Sequence, residues 1–189
     1  MTFRFRQVGD PVRGLLQIMA VTGCLLASTA CSPSDDRSTA DAQCSATFDL
    51  ESRAEPLGSS YGLQRAISDR AAQPGTYSLR MLTEAAGWAS QWDRVVMALS
   101  GVPAEWLNSV AGTPGYCWSN LGSFKFDYPV DNFYIFVTGS TPTQVIRTKQ
   151  GSELFIGVFS GDILAPDSRF QSVQPPDRPW ESYLELTQS

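Results

Sequence analysis

Residues 132–138, Asn-Phe-Tyr-Ile-Phe-Val-Thr, constrain the fold most. Side chains alternate along a strand, so Phe133, Ile135 and Val137 share one face, and Tyr134 and Phe136 share the other. Apolar residues on both faces mark a central strand. Gly139-Ser-Thr-Pro142 reads as a turn, and residues 144–148 return as the partner strand.

Residues 61–69 and 77–86 read as helices. In the second, Leu79, Leu82 and Ala86 recur at helical spacing, and Gly87 is placed to end it. Residues 91–99 read as a strand, with Val95 and Val96 favouring extension. Pro103 suits the first turn of a short helix that carries Glu105 in that turn and Trp106, Leu107 and Val110 as apolar positions. Residues 116–121 and 154–159 read as further strands. Helices first and strands later predict an α+β body, with two or three short helices packed on an antiparallel sheet of about four to five strands. The body is expected over residues 44–173. The tail, 174–189, opens Gln-Pro-Pro-Asp-Arg-Pro-Trp and reads as too proline-rich to extend a sheet, although Trp180, Tyr183 and Leu184 can dock it.

The N-terminus reads as an export signal. Arg4, Arg6 and Arg13 precede a stretch from Gly14 to Ser34 that holds no charge. The apolar part ends in small residues and a cysteine. This resembles the bacterial lipobox, which implies cleavage before a cysteine that then carries diacylglycerol. Val21-Thr-Gly-Cys24 has the better residue three before the cysteine. Ser28-Thr-Ala-Cys31 ends the apolar run and opens onto the polar Ser32-Pro-Ser-Asp-Asp36. Cleavage there also leaves an even pair, Cys44 and Cys117. Cys31 is therefore the expected anchor, with Cys24 the alternative. Residues 1–30 are then the signal and 31–43 a flexible tether. An uncleaved membrane span is a poorer reading of a run containing Gln17, Thr22, Ser28 and Thr29. Either route puts the body outside the cytoplasm, where Cys44 and Cys117 are expected to form a disulfide.

The chain contains no histidine. It therefore lacks the usual general base and the commonest metal ligand. Its net charge is −5, and loss of Arg4, Arg6, Asp10 and Arg13 with the signal would make it −7. So acidic a body repels nucleic acid, and no nucleic-acid partner is expected. Gly58-Ser-Ser-Tyr-Gly62 matches the Gly-x-Ser-x-Gly nucleophile elbow but has neither a base nor a preceding strand, so it reads as a loop. Asp127, Asp131 and Asn132 flank a proline and read as turn chemistry rather than a calcium site. The spacing of Glu84, Asp93, Glu105 and Asp162 singles out no acid–nucleophile pair. No catalytic residue, metal or cofactor is expected. Of Trp88, Trp92, Trp106 and Trp118, any that are exposed would mark a binding surface. Alternation would point Trp92 and Arg94 to one face and Asp93 to the other, making Trp92, Arg94 and Trp106 the candidate binding residues.

Trp92-Asp-Arg-Val-Val96, a short helix, Gly115-Tyr-Cys-Trp118 and Asn132-Phe-Tyr-Ile-Phe-Val137 together resemble a set of uncharacterised small bacterial envelope proteins with a Trp-Asp-Arg strand. The resemblance spans about residues 77–158; Cys117 departs from its pattern. In outline the chain also resembles the helices-on-antiparallel-sheet architecture of small outer-membrane assembly lipoproteins and β-lactamase-inhibitor proteins. These likenesses imply a fold and a location and transfer no catalytic residue. The expectation is a non-enzymatic lipoprotein of the cell membrane or outer membrane that binds an envelope protein or acts as an envelope accessory. The alternatives are a carrier or sensor of a small apolar ligand and a carboxylate-based hydrolase of envelope glycans.

Overall fold

A computed structural model describes residues 44–89, 91–122 and 130–188. Cys24, Cys31 and Asp127 lie outside these residues. The fold is α+β, with three α-helices and three sheets among the described residues. The largest sheet is antiparallel in the order β6-β5-β3-β7, built from β3 (Arg94–Leu99), β5 (Asp131–Thr138), β6 (Thr141–Lys149) and β7 (Ile163–Leu164). As its alternation requires, β5 is interior and buried on both faces. Tyr134 and Phe136 enter one apolar cluster, and Phe133, Ile135 and Val137 the other.

The first cluster lies under α1 (Ser60–Ala71), α2 (Leu79–Ala85) and a three-stranded sheet of β2 (Thr76–Ser78), β8 (Arg169–Val173) and β9 (Tyr183–Gln188). Leu63, Leu79, Leu82, Phe170 and Leu184 are fully buried there. The second cluster lies under α3 (Ala104–Ala111) and a two-stranded parallel pair, β1 (Ala46–Asp49) with β4 (Tyr116–Ser119). Leu50, Leu107, Ala111 and Trp118 fill it. The central sheet is thus covered on both sides, and each cover is stabilised by apolar burial rather than by helix propensity.

The disulfide Cys44–Cys117 is present and ties the start of β1 to β4 across 73 residues. Around it, Asn108 accepts from Trp118 Nε1 at 2.8 Å and from Thr113 Oγ1 at 3.1 Å, and donates to Tyr116 O at 2.7 Å. One amide therefore satisfies three otherwise stranded groups between α3 and β4.

Several expectations are corrected. Residues 77–86 are not one helix: Tyr77 pairs with Phe170 in β2, and Ser78 then caps α2 by accepting from Met81 N at 3.2 Å. Residues 154–159 form no strand. Gly157 has φ +78°, which turns the chain out of an extended path; Phe155 and Val158 fold inward, while Ile156 makes an isolated bridge to Glu185. The tail does extend a sheet. Its prolines end at Pro179 in a short 3-10 turn, and β9 follows to pair with β8, burying Leu184 while Trp180 stays exposed. Pro142 lies inside β6 rather than in the turn; β6 is an edge strand with a register shift opposite Phe136/Val137, a setting that tolerates proline. Pro103 is the N-cap of α3 rather than a residue of its first turn.

Among the described residues, no helix is long and apolar enough to cross a membrane.

Candidate functional site

The Trp92-Asp93-Arg94 triplet is an internal clasp. Regular strand begins only at Arg94, so the expected alternation fails. Trp92 is buried in the first cluster, edge-on to Phe136 at 5.4 Å, and Trp88 tilts against the same ring at 4.8 Å. Asp93 binds along the sheet: its N donates to Val137 O at 2.9 Å, and its carboxylate accepts from Gly139 N. Arg94 points to the opposite side. Its guanidinium donates to Ala111 O, from Nε at 3.1 Å, and to Gly139 O, from Nη2 at 2.7 Å. A cation on the last carbonyls of α3 is favoured by the helix dipole, and the fork holds α3 to the β5–β6 turn. Two of the three candidate binding residues, Trp92 and Arg94, are therefore occupied by the protein itself.

Trp106 is different. It is half-buried on α3, and its ring abuts Gly161, where an added Cβ would lie 3.3 Å from Cζ2. Gly161 belongs to a turn fixed on the edge of β3. Gly161 N donates to Met97 O, Met97 N to Asp162 O, and the Asp162 carboxylate accepts from Phe159 N at 2.8 Å. That rigid turn holds Phe159 71% exposed, and Ile163 beside it is 46% exposed. Ile163 pairs with Val96, so it stands on the same sheet face as α3. Trp106 and Ile163 thus lie on one side of the sheet at the β7 edge, and exposed Phe159 stands in the turn that leads into β7. Sequence reading missed Phe159 and Ile163. The available signal was a large aromatic next to the turn residues Ser160-Gly161-Asp162.

The remaining motifs resolve into local structure. In the Gly-x-Ser-x-Gly match, Ser59 is the N-cap of α1, accepting from Gly62 N at 3.2 Å. Ser60 N donates to Glu55, and its hydroxyl accepts from Gln144 Nε2 at 3.2 Å. The motif therefore opens a helix, where a loop was expected. Of the four separate acids, Asp93 and Asp162 hold turns, Glu84 lies on α2 and Glu105 on α3.

Asp131 is taken by cations. Arg147 Nη2 donates to Oδ2 at 2.7 Å while its Nη1 reaches Glu51 at 2.7 Å. Lys149 Nζ stands 2.6 Å from Oδ1, an ion-pair contact rather than an aligned hydrogen bond. Burial alone would raise the Asp131 carboxyl, but Arg147 and Lys149 outweigh it and hold the group below its ordinary value of 3.8. A carboxyl that titrates lower in the folded than in the unfolded chain stabilises the fold above the unfolded value. That stability is lost as the pH falls through the folded value. Denaturant melts are therefore expected to show an acid limb below about pH 4. Asp131→Asn should flatten that limb and cost about 2 kcal/mol at neutral pH. An unchanged acid limb would show that Asp131 does not carry it.

Among the described residues, no group of three or more His, Cys, Asp or Glu side chains could hold a metal ion. Comparison with known proteins finds no matching family, no similar curated protein and no similar solved structure.

Proposed function

We propose that the chain is a lipid-anchored envelope protein, exported through the signal at residues 1–30, that binds another protein and performs no chemistry. The observation that carries the binding half is the placement of Trp106, Phe159 and Ile163 at the β7 edge. A hydrogen-bonded turn carries exposed Phe159, sets its glycine against half-buried Trp106 and leads into exposed Ile163. Single exposed apolar residues are ordinary, but an aromatic-rich group on rigid backbone is the composition of an interface core. The chain is acidic, so the complementary partner is an envelope protein with an apolar surface ringed by basic residues. A carrier of an apolar ligand would need an enclosed cavity between helices and sheet. Trp88, Phe136, Tyr134, Leu79 and Leu82 fill that space instead.

The anchoring half rests on the lipobox ending at Cys31, with Ser32 after it permitting transfer to an outer membrane where one exists. Two acyl chains suffice for stable attachment, at ~0.8 kcal/mol per buried methylene. Mass spectrometry of the mature N-terminus is expected to find a lipidated Cys31, and Cys31→Ser should leave the chain unprocessed or free of membranes. Lipid retained in that variant would move the anchor to Cys24.

A further inference from the structure

Residues 51–56 run between two buried leucines, Leu50 of the second cluster and Leu57 of the first, across the outer edge of β6. Ser52 is half-buried and the other five are exposed. The segment is held at its ends. Glu51 pairs with Arg147 at 2.7 Å, and Gln144 accepts from Leu57 N and donates to Gly58 O, both at 2.9 Å. Its middle is held less. Among the described residues, neither the N–H nor the C=O of Arg53 has a hydrogen-bond partner, and its guanidinium makes no ion pair. An endoprotease takes its substrate as an extended segment and pairs with that segment's main chain, so cutting starts at exposed, irregular backbone.

Arg53 also differs from the other described basic residues. Arg65 and Arg70 lie in α1 and Arg80 in α2, while Arg94, Arg147, Lys149 and Arg169 lie in strands. Arg178 is followed by Pro179, and a proline in that position blocks cleavage. Among the described residues, Arg53 alone sits outside helix and strand with a small residue, Ala54, after it. The bond between them lies inside the ring that the Cys44–Cys117 disulfide closes. One cut opens a ring without dividing it, so residues 44–53 stay joined to the body through Cys117. Once the disulfide is also open, little holds them. Among the described residues β1 pairs only with β4, and of residues 44–53 only half-buried Phe48 and buried Leu50 join the second cluster. Two apolar side chains fall far below the contact area of a stable complex, and the exposed Glu51–Arg147 pair adds little.

We propose that the Arg53–Ala54 bond is a processing site for an arginine-directed endoprotease, and that the disulfide keeps the cut chain in one piece until a dithiol reduces it. Water adds across the Arg53–Ala54 amide, leaving a carboxylate on Arg53 and an ammonium group on Ala54. The dithiol passes two electrons and two protons to the Cys44–Cys117 bond, which becomes two thiols, and is itself oxidised to a disulfide. Neither step frees the body alone: reduction leaves the polypeptide whole, and the cut leaves the cross-link. A body anchored through Cys31 therefore leaves the membrane only after both. That consequence rests on the lipid anchor; the two steps themselves do not.

The test is limited trypsin digestion of the full mature chain carrying Arg37→Gln and Lys125→Gln, which takes two basic residues outside the described ones out of the reaction. The first cut is expected after Arg53. The two fragments should run together on a non-reducing denaturing gel and separate with dithiothreitol, and native mass spectrometry should show them part only in the reduced sample. Arg53→Gln, an exposed substitution away from the core, should abolish the cut at an unchanged melting midpoint. In the Cys44→Ser/Cys117→Ser variant the fragments should part on cutting alone. The proposal is overturned by a first cut elsewhere, by Arg53→Gln digesting as fast as the parent chain, by fragments that separate without reductant, or by a cut and reduced chain that stays whole. In washed membranes the body should reach the supernatant only after trypsin and dithiothreitol together. A body that is soluble before either treatment counts against the anchor at Cys31 and leaves the two steps standing.

Discussion

A Phe136→Ala variant is expected to lose about 3–5 kcal/mol of unfolding free energy, read from denaturant midpoints at an unchanged slope. Phe136 is 1% exposed and lies on the interior strand β5. Its ring is held between Trp88 and Trp92, at 4.8 and 5.4 Å between ring centres. Removal opens a cavity between two indoles that the sheet and α2 cannot close, and it also loses two aromatic pairs of about 0.5–1.5 kcal/mol each. Phe159→Ala is the internal control. The residue is chemically identical but mostly in solvent, so its loss should cost less than about 0.5 kcal/mol. Comparable losses in the two variants would contradict the assignment of one to the core and the other to the surface.

The Cys44→Ser/Cys117→Ser double variant should lose about 4 kcal/mol, because the cross-link removes loop-closure freedom from an unfolded chain over a long span. The loss should also have a place. β1 is mostly exposed and its partner strand is β4, so without the bond its amides should be the first to exchange. The amides of β3 and β5 lie within the doubly covered sheet and should remain protected. A change under about 1 kcal/mol, or an exchange pattern unchanged at β1, would remove the disulfide from the account of stability.

β5 was legible because its pattern serves both faces at once: Phe133, Ile135 and Val137 on one and Tyr134 and Phe136 on the other are incompatible with any edge position. The disulfide was legible from the even pair that cleavage before Cys31 is expected to leave, together with the expected export to an oxidising compartment. The failures are also physical. Residues 154–159 have strand composition, but one left-handed glycine, Gly157, breaks the path. The prolines of the tail describe only themselves; Tyr183–Gln188 lies beyond them and is free to pair. Trp92-Asp93-Arg94 looked like alternating strand, but Asp93 bonds to the β5–β6 turn before regular strand begins, which puts the flanking side chains on opposite sides. For the same reason its tryptophan and arginine, the most conspicuous pair in the sequence, hold the fold together. Phe159 and Ile163 drew no notice because exposure is a property of the folded turn rather than of local composition.

Site-specific photo-crosslinking in intact cells tests the central claim most directly. A photoreactive residue at position 159 or 163 should trap one defined envelope protein. The same residue at Tyr61, which is 73% exposed on α1, should not trap it. Identical trapping at 159 and 61, or none at 159 and 163 in correctly anchored protein, would contradict a protein-binding role for the β7 edge.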